Sequence, residues 1–127
     1  MIFGIGTDII EVSRIEASLT RCHGLKDKLF TPEEQRYCEG NAIVFQHYAA
    51  RFAAKEAVFK ALGTGYRGGM EFTDIEVKND ELGKPMVVLS GEVGRFVDQH
   101  HIVNIQLSIA HVKDTAVAFV VMEQIMP

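Results

Sequence analysis

The sequence predicts an α+β fold, a mostly antiparallel sheet with helices packed on it. Apolar and polar residues alternate at 75–78 and 105–110, the period of half-buried strands, and an alanine-rich stretch at 47–62 keeps a helical period until Gly63. Turn signals at 79–85 and at Lys113-Asp114 join the C-terminal strands directly to one another, which makes them hairpins. With 127 residues the chain has the length of one domain, taken as 1–127, and can bury a core without staples. Its 47% hydrophobic and 24% charged residues exclude a disordered tail, a collagen-like rod and a coiled coil. The longest strongly apolar stretch, Ala116 to Met122, falls far short of the roughly 20 residues of a bilayer-crossing helix. Asp8 and Glu11 interrupt the N-terminal segment, so no signal peptide is expected and the expected location is the cytoplasm.

The first strand is expected over Ile2–Asp8, where Phe3 and Ile5 sit among glycines; Gly4 and Gly6 mark a place where another backbone comes close. Ser13 with Glu16 forms a candidate capping box, and Ile15 and Leu19 stand one turn apart, so a helix follows. Thr31-Pro32-Glu33-Glu34 is a stronger start signal: an N-cap, a proline at the first helical position, then carboxylates at the positive end of the helix dipole. Gly40 stops that helix. The next runs from about His47 to Leu62 and carries Phe52 and Phe59 on one face. Ile75 and Val77 alternate with Glu76 and Lys78 in a strand, and Asn79–Pro85 turns the chain into Met86–Leu89. Ser90 caps a short helix through Val93, Phe96 and Val97. Ile105, Leu107 and Ile109 then alternate with Gln106, Ser108 and Ala110, and Thr115–Glu123 is the last strand.

Thirteen basic against 17 acidic side chains leave a net charge of −4, which argues against a general nucleic-acid binder. Cys22 and Cys38 fit neither a disulfide scaffold nor a zinc motif and are expected as reduced thiols. Gly4-Ile5-Gly6 opens like a dinucleotide fingerprint, but Ile9 stands where the third glycine belongs, and no GxxxxGK[ST] loop occurs. Asp8, after an apolar strand, reads either as a metal ligand or as a helix cap or plain surface residue. Glu56 and Lys60 project together one turn apart, with Ala49, Ala53 and Ala57 along one side. They form either an exposed i,i+4 pair worth about 0.2–0.5 kcal/mol, or a carboxylate for a hard cation beside an ammonium for a phosphate, the alanines leaving room for the ligand.

Gly63-Thr64-Gly65 and Gly68-Gly69 expose backbone N–H groups of the kind that hold phosphate oxygens. They follow a helix C-terminus, whose dipole disfavours anions, so Lys60, Arg51 or Arg67 would have to offset it; a plain cap and turn is the other reading. His111, at a strand end before a hairpin, suits a base or a phosphate contact, or else a structural role. His23, His47, His100 and His101 show no metal-ligand spacing.

Taken in order, GIGTDIIEVSRI at 4–15, FTPEEQRYC at 30–38, RFAAKEAVFKALGTG at 51–65, DIEV and GKP within 74–85, and LSIAH at 107–111 resemble the holo-(acyl-carrier-protein) synthases, the small single-domain type of 4′-phosphopantetheinyl transferase. The likeness runs nearly end to end. A G-x-D and an F-x-x-K-E-x-x-x-K at this separation are highly specific as a pair, although either alone is weak. The resemblance implies that family's fold and a magnesium-dependent transfer of the phosphopantetheine arm from coenzyme A to a serine of apo-acyl carrier protein. Adenosine 3′,5′-bisphosphate is released, and the reaction supports fatty acid biosynthesis. By motif, the resemblance implies Asp8 and Glu56 as magnesium ligands, Lys60 at the coenzyme phosphates and His111 in the coenzyme pocket, these four being the catalytic set. Arg51, Gly63, Thr64, Gly65, Gly83, Lys84 and Pro85 fall in segments that the family uses around the nucleotide. A homotrimer with sites between neighbouring subunits is implied as well.

Ala110 stands where this family often has serine or threonine, and Gln106 where it often has histidine; both departures leave the metal pair intact. Acyl carrier proteins are small and acidic, so an acidic enzyme needs a local basic face. Arg14, Arg21, Lys26 and Lys28 gather in the first helical region and its following loop, a candidate docking face or otherwise a solvated one. Two other classes are weighed against this reading. An acyl-coenzyme A thioesterase-like enzyme would have no need of Asp8, Glu56 and Lys60 together, and a non-catalytic oligomeric module would leave them on the surface.

Overall fold

A computed structural model of the chain describes residues 1–66 and 68–126, so Arg67, named above, lies outside the described residues. The elements are β1 (Ile2–Glu11), α1 (Val12–Arg21), α2 (Leu25–Leu29), α3 (Pro32–Glu39), α4 (Val44–Leu62), a 3-10 turn (Phe72–Asp74), β2 (Ile75–Asn79), β3 (Pro85–Leu89), α5 (Gly91–Gln99), β4 (Ile102–His111) and β5 (Thr115–Gln124). β1, β5 and β4 form an antiparallel three-stranded sheet in that order, and β2–β3 is a separate antiparallel hairpin. The architecture is α+β, as the sequence predicts.

Small residues let α4 lie directly on the sheet. A Cβ on Gly6 would stand 2.0 Å from the carbonyl oxygen of Ala57, and one on Gly4 2.0 Å from that of Ala61. Only glycine permits this backbone-to-backbone approach. Ala49, Ala53 and Ala57 are buried in the core that this contact creates. The expectation that these alanines leave room for a ligand is therefore corrected: strands fill the space beside them.

The capping box of α3 forms as predicted, with Thr31 Oγ1 accepting from the Glu34 amide at 3.2 Å and Glu34 Oε1 accepting from the Thr31 amide at 2.9 Å. Glu34 and Lys55 are both buried, and Lys55 Nζ donates to Glu34 Oε1 at 2.7 Å, to the Ile75 carbonyl at 2.7 Å and to the Phe72 carbonyl at 3.0 Å. Glu34 Oε2 accepts the Val77 amide at 2.8 Å. A buried ion pair needs such complete bonding to offset its lost hydration, and here it ties α3 and α4 to the start of β2.

The starts of two helices differ from expectation. β1 continues to Glu11 because it pairs with β5 out to Thr115. Helix α1 therefore begins at Val12 with Glu11 as its cap, and Ser13 lies inside the first turn instead of capping it. Helix α4 begins at Val44, ahead of His47.

The inner face of β5 buries Ala116, Ala118, Val120 and Met122, whereas the opposite sheet face leaves Ile5, Ile9, Val117 and Phe119 exposed, Ile9 to 70%. Gln106 pairs with Val121 and Ala110 with Val117, so both family departures belong to this outward face. Among the described residues no helix is long and apolar enough to cross a membrane. Cys22 is exposed and Cys38 buried, and both are free thiols.

Candidate active site

The side chains with chemistry to offer divide between the two flanks of α4. At about 100° per residue, Glu56 and Lys60 lie about 40° apart around the helix, as do His47 and Arg51. Glu56 is about 180° from His47, however, and Lys60 about 180° from Arg51. The sheet repeats the division. Asp8 is on edge strand β1 and His111 on the opposite edge strand β4, with β5 between them.

On the β1 flank, Lys60 Nζ donates to Asp8 Oδ1 at 3.1 Å and to the Thr7 carbonyl at 3.0 Å. Lysine thus bonds across to the strand, and the exposed Glu56–Lys60 pair weighed from spacing is not the one that forms. Asp8 holds its position because β1 seats its glycines on α4, and its side chain is only 16% exposed. Burial and the neighbouring Asp8 charge raise the Glu56 carboxyl above its usual pKa, with Lys60 pulling the other way. Two carboxylates that repel each other beside a single ammonium favour a cation. A cavity of about 290 Å³ opens here, lined by Glu56, Phe59, Lys60, Gly63, Gly65, Tyr66 and Phe72. Gly63 ends α4 at φ 77° and Gly65 follows at φ 64°, so the chain bends across the cavity, and the Thr64 hydroxyl donates to the Gly65 carbonyl at 2.9 Å.

On the β4 flank, a cavity of about 220 Å³ is lined by Tyr37, His47, Ala50, Arg51, Asn79, Gly83, Pro85, Ile109 and His111. Arg51 is 4% exposed; its guanidinium lies 4.0 Å from the centre of the Tyr37 ring, and one terminal nitrogen donates to Asn79 Oδ1 at 2.9 Å. Asn79 in turn donates to the Gly83 carbonyl at 3.1 Å, with Gly83 at φ 88°, which fixes the turn into β3. Lys84 is exposed in that turn. His111 Nδ1 donates to Gln46 Oε1 at 2.9 Å. His47 stands edge-on between two rings, its centre 5.5 Å from that of His111 and 5.2 Å from that of Tyr37. Sequence reasoning passed over His47; its signal was the four-residue spacing to Arg51, which puts both on one face of a helix.

The chain therefore brings together Asp8, Glu56 and Lys60 with Gly63–Gly65, and separately Arg51, Gly83–Pro85 and His111. It does not bring the two sets together within one copy, because α4 stands between them. Arg14 and Arg21 are exposed on the same side of α1, and Lys28 is exposed on α2. Lys26 is committed to Glu39 at 2.8 Å and is less available than its neighbours.

No group of three or more His, Cys, Asp or Glu side chains converges among the described residues. A cation held by Asp8 and Glu56 would take its remaining oxygens from water and phosphate, a donor set that suits magnesium.

Residues 4–120 match the model of the 4′-phosphopantetheinyl transferase superfamily. The holo-[acyl-carrier-protein] synthase of Geotalea daltonii is 43% identical over 125 residues, covering 98% of this chain and 100% of that protein. The synthase of Clostridium tetani is 46% identical over 123 residues, covering 97% of each. Among solved structures, the holo-[acyl-carrier-protein] synthase of Neisseria meningitidis matches with a TM-score of 0.88 at 37% identity, over 98% of this chain and 100% of that one. The Bacillus anthracis synthase, solved in complex with CoA (3′,5′-ADP), matches with a TM-score of 0.81 at 40% identity over 98% of each. Fold, motif positions and near-complete coverage agree: the chain belongs to the 4′-phosphopantetheinyl transferase superfamily.

Proposed function

We propose that this chain, a single domain over 1–127, is a holo-[acyl-carrier-protein] synthase. It transfers 4′-phosphopantetheine from coenzyme A to a serine of apo-acyl carrier protein and releases adenosine 3′,5′-bisphosphate, in support of fatty acid biosynthesis. The observation that carries the reading is the meeting of Asp8, Glu56 and Lys60 beside one cavity, in a chain 43% identical over nearly its whole length to an enzyme of that name. Asp8 and Glu56 are the proposed magnesium ligands. When bound, the metal supplies Lewis-acid polarisation and charge neutralisation at the diphosphate. Lys60, steered by the Thr7 carbonyl and Asp8, presents a fixed positive charge at the cavity. Phosphoryl transfer depends on such positioning and electrostatics more than on covalent help from the protein. The serine oxygen bonds to the β-phosphorus as the bond to the adenosine bisphosphate oxygen breaks.

Coenzyme A would contact both flanks of α4, and one copy of the chain keeps them apart. A homotrimer, in which the β1 flank of one copy meets the β4 flank of the next, joins them. The exposed Ile5, Ile9, Val117 and Phe119 offer an apolar face for that contact, with Gln106 and Ala110 beside them. Free thiols at Cys22 and Cys38 suit the reducing cytoplasm. The test is to incubate the protein with coenzyme A, magnesium and an apo-carrier protein and to weigh the carrier. A gain of one phosphopantetheine unit is expected; an unmodified carrier overturns the reading, and hydrolysis of an added acyl-coenzyme A to the free carboxylic acid and coenzyme A would favour the thioesterase class instead.

A further inference from the structure

Of the four residues that define the F-x-x-K-E-x-x-x-K pattern on α4, the proposed transfer uses Glu56 and Lys60 and leaves Phe52 and Lys55 without a part. The side chains of Lys55 and its partner Glu34 are both wholly buried. Burying two charges costs hydration that their attraction barely offsets, and apolar residues of the same volume are often as stable. What apolar residues lack is direction. An ammonium has three N–H donors, and Lys55 gives one to Glu34 Oε1 and the other two to the Ile75 and Phe72 carbonyls. Phe72 opens the 3-10 turn over Phe72–Asp74, and Ile75 closes it. So short a turn holds itself weakly, because its own hydrogen bonds are poorly aligned. Lys55 spans it from behind.

The turn matters for what it carries. Among the residues lining the cavity of about 290 Å³, only Phe72 comes from beyond α4 and the bend that follows it. Its ring is gripped by the same helix. The ring centre lies 5.7 Å from that of Phe52, nearly parallel at 13°, and 5.3 Å from that of Phe59, edge-on at 71°. Tyr66 stacks against it at 5.2 Å. Phe52, Lys55 and Phe59 are spaced three and four residues apart and share one face of α4. That face therefore holds both the ring and the backbone of Phe72. An apolar ring beside Glu56 and Lys60 keeps water from one side of the cavity, where their pull on a charged substrate is stronger for it.

We propose that Lys55 is a positioning residue for the transfer: through the Phe72 carbonyl it sets how far the Phe72 wall stands from Glu56 and Lys60, with Glu34 as its buried counter-charge. The inference rests on the reading of the β1 flank as the site of transfer and deepens it. Lys55 touches no substrate and acts through Phe72. A displacement of about 1 Å in such a wall can cost on the order of 10²-fold in rate with every reacting group still present.

A mutant cycle on the full chain tests this, with coenzyme A, magnesium and apo-carrier protein as substrates, well below each variant's melting temperature. Lys55→Met keeps the length of the side chain and removes its donors, and kcat is expected to fall about tenfold or more. Phe72→Ala removes the wall and should cost a similar factor. Because Lys55 acts through Phe72, adding Lys55→Met to Phe72→Ala should lower kcat by less than about twofold more. Stability is separated from positioning by Glu34→Gln combined with Lys55→Met, which removes both charges and leaves neither stranded. That pair is expected to melt above Lys55→Met alone and to keep its low kcat, and it carries the cycle if the single variant does not fold. Three results overturn the inference and leave the proposed function standing: wild-type kcat in folded Lys55→Met, a kcat that recovers together with melting temperature in the charge-free pair, or losses that multiply when Phe72→Ala is added. Absence of transfer by the unaltered chain overturns both.

Discussion

The two flanks of α4 share one helix and differ in how they are assembled. The β1 flank needs a single contact: glycines of β1 seat on alanines of α4, and Asp8, Glu56 and Lys60 follow from that seating. The β4 flank gathers Tyr37, Arg51, Asn79, Gly83 and His111 from α3, α4, the turn after β2 and the end of β4. The first holds two carboxylates at its centre and the second holds a buried guanidinium and two imidazoles. The proposed site for charge-stabilising chemistry is thus built on a backbone-to-backbone junction, and the proposed site for recognition is built where several segments meet.

That contrast is open to attack by substitution. The largest effect is expected from Glu56→Gln, which keeps size and removes charge: kcat should fall about 10²-fold or more, with coenzyme affinity changing far less. Arg51→Ala should do the reverse, raising the coenzyme KM more than it lowers kcat. If steady-state kinetics give both variants the same split, the division of labour is wrong. Coexpressing the two variants, assayed at coenzyme concentrations too low for Arg51→Ala alone to turn over, sharpens the comparison further. Random trimers with shared sites would recover about a quarter of the wild-type activity, and self-contained sites none.

Next in size is Lys60→Ala. If Lys60 meets the phosphates as proposed, its loss should lower kcat/KM about tenfold or more, with Lys60→Arg recovering part because its planar fork replaces a compact ammonium. Unchanged coenzyme kinetics would reduce Lys60 to a tether for Asp8. A smaller, salt-dependent change is expected from Arg14→Glu with Arg21→Glu, which should raise the carrier-protein KM and flatten its dependence on ionic strength while coenzyme kinetics stay put. Equal damage to both substrates would point to a disturbed fold. Smallest of all is Lys26→Ala: its ammonium is already committed to Glu39, so the carrier KM should move by less than about twofold.

The readable parts of the sequence were those whose causes are local. Thr31 and Glu34 are three residues apart, and their box could be seen before any fold was known. Gly4 and Gly6 announced a close approach without naming Ala57 and Ala61 as the partners. Ser13 misled because the start of α1 is set by the pairing of β1 with β5, a contact between distant segments that capping signals do not encode. The motif residues Asp8, Glu56 and Lys60 were named from sequence, but the Lys60–Asp8 bond was not, since spacing along a helix favours the i,i+4 partner. His47 stayed hidden because its neighbours Tyr37 and His111 come from α3 and β4.

The seating of Gly6 under the Ala57 carbonyl has a thermal consequence. Two backbones in van der Waals contact have no rotamers to exchange, so the spacing between strand and helix has little room to yield. The cavity around Arg51 and His47 is lined instead by rings and an amide from four segments, held to one another through side chains. On warming, grip on the coenzyme should slacken well before the carboxylate geometry does, and the enzyme should lose its appetite for dilute coenzyme at temperatures where its turnover at saturation still climbs.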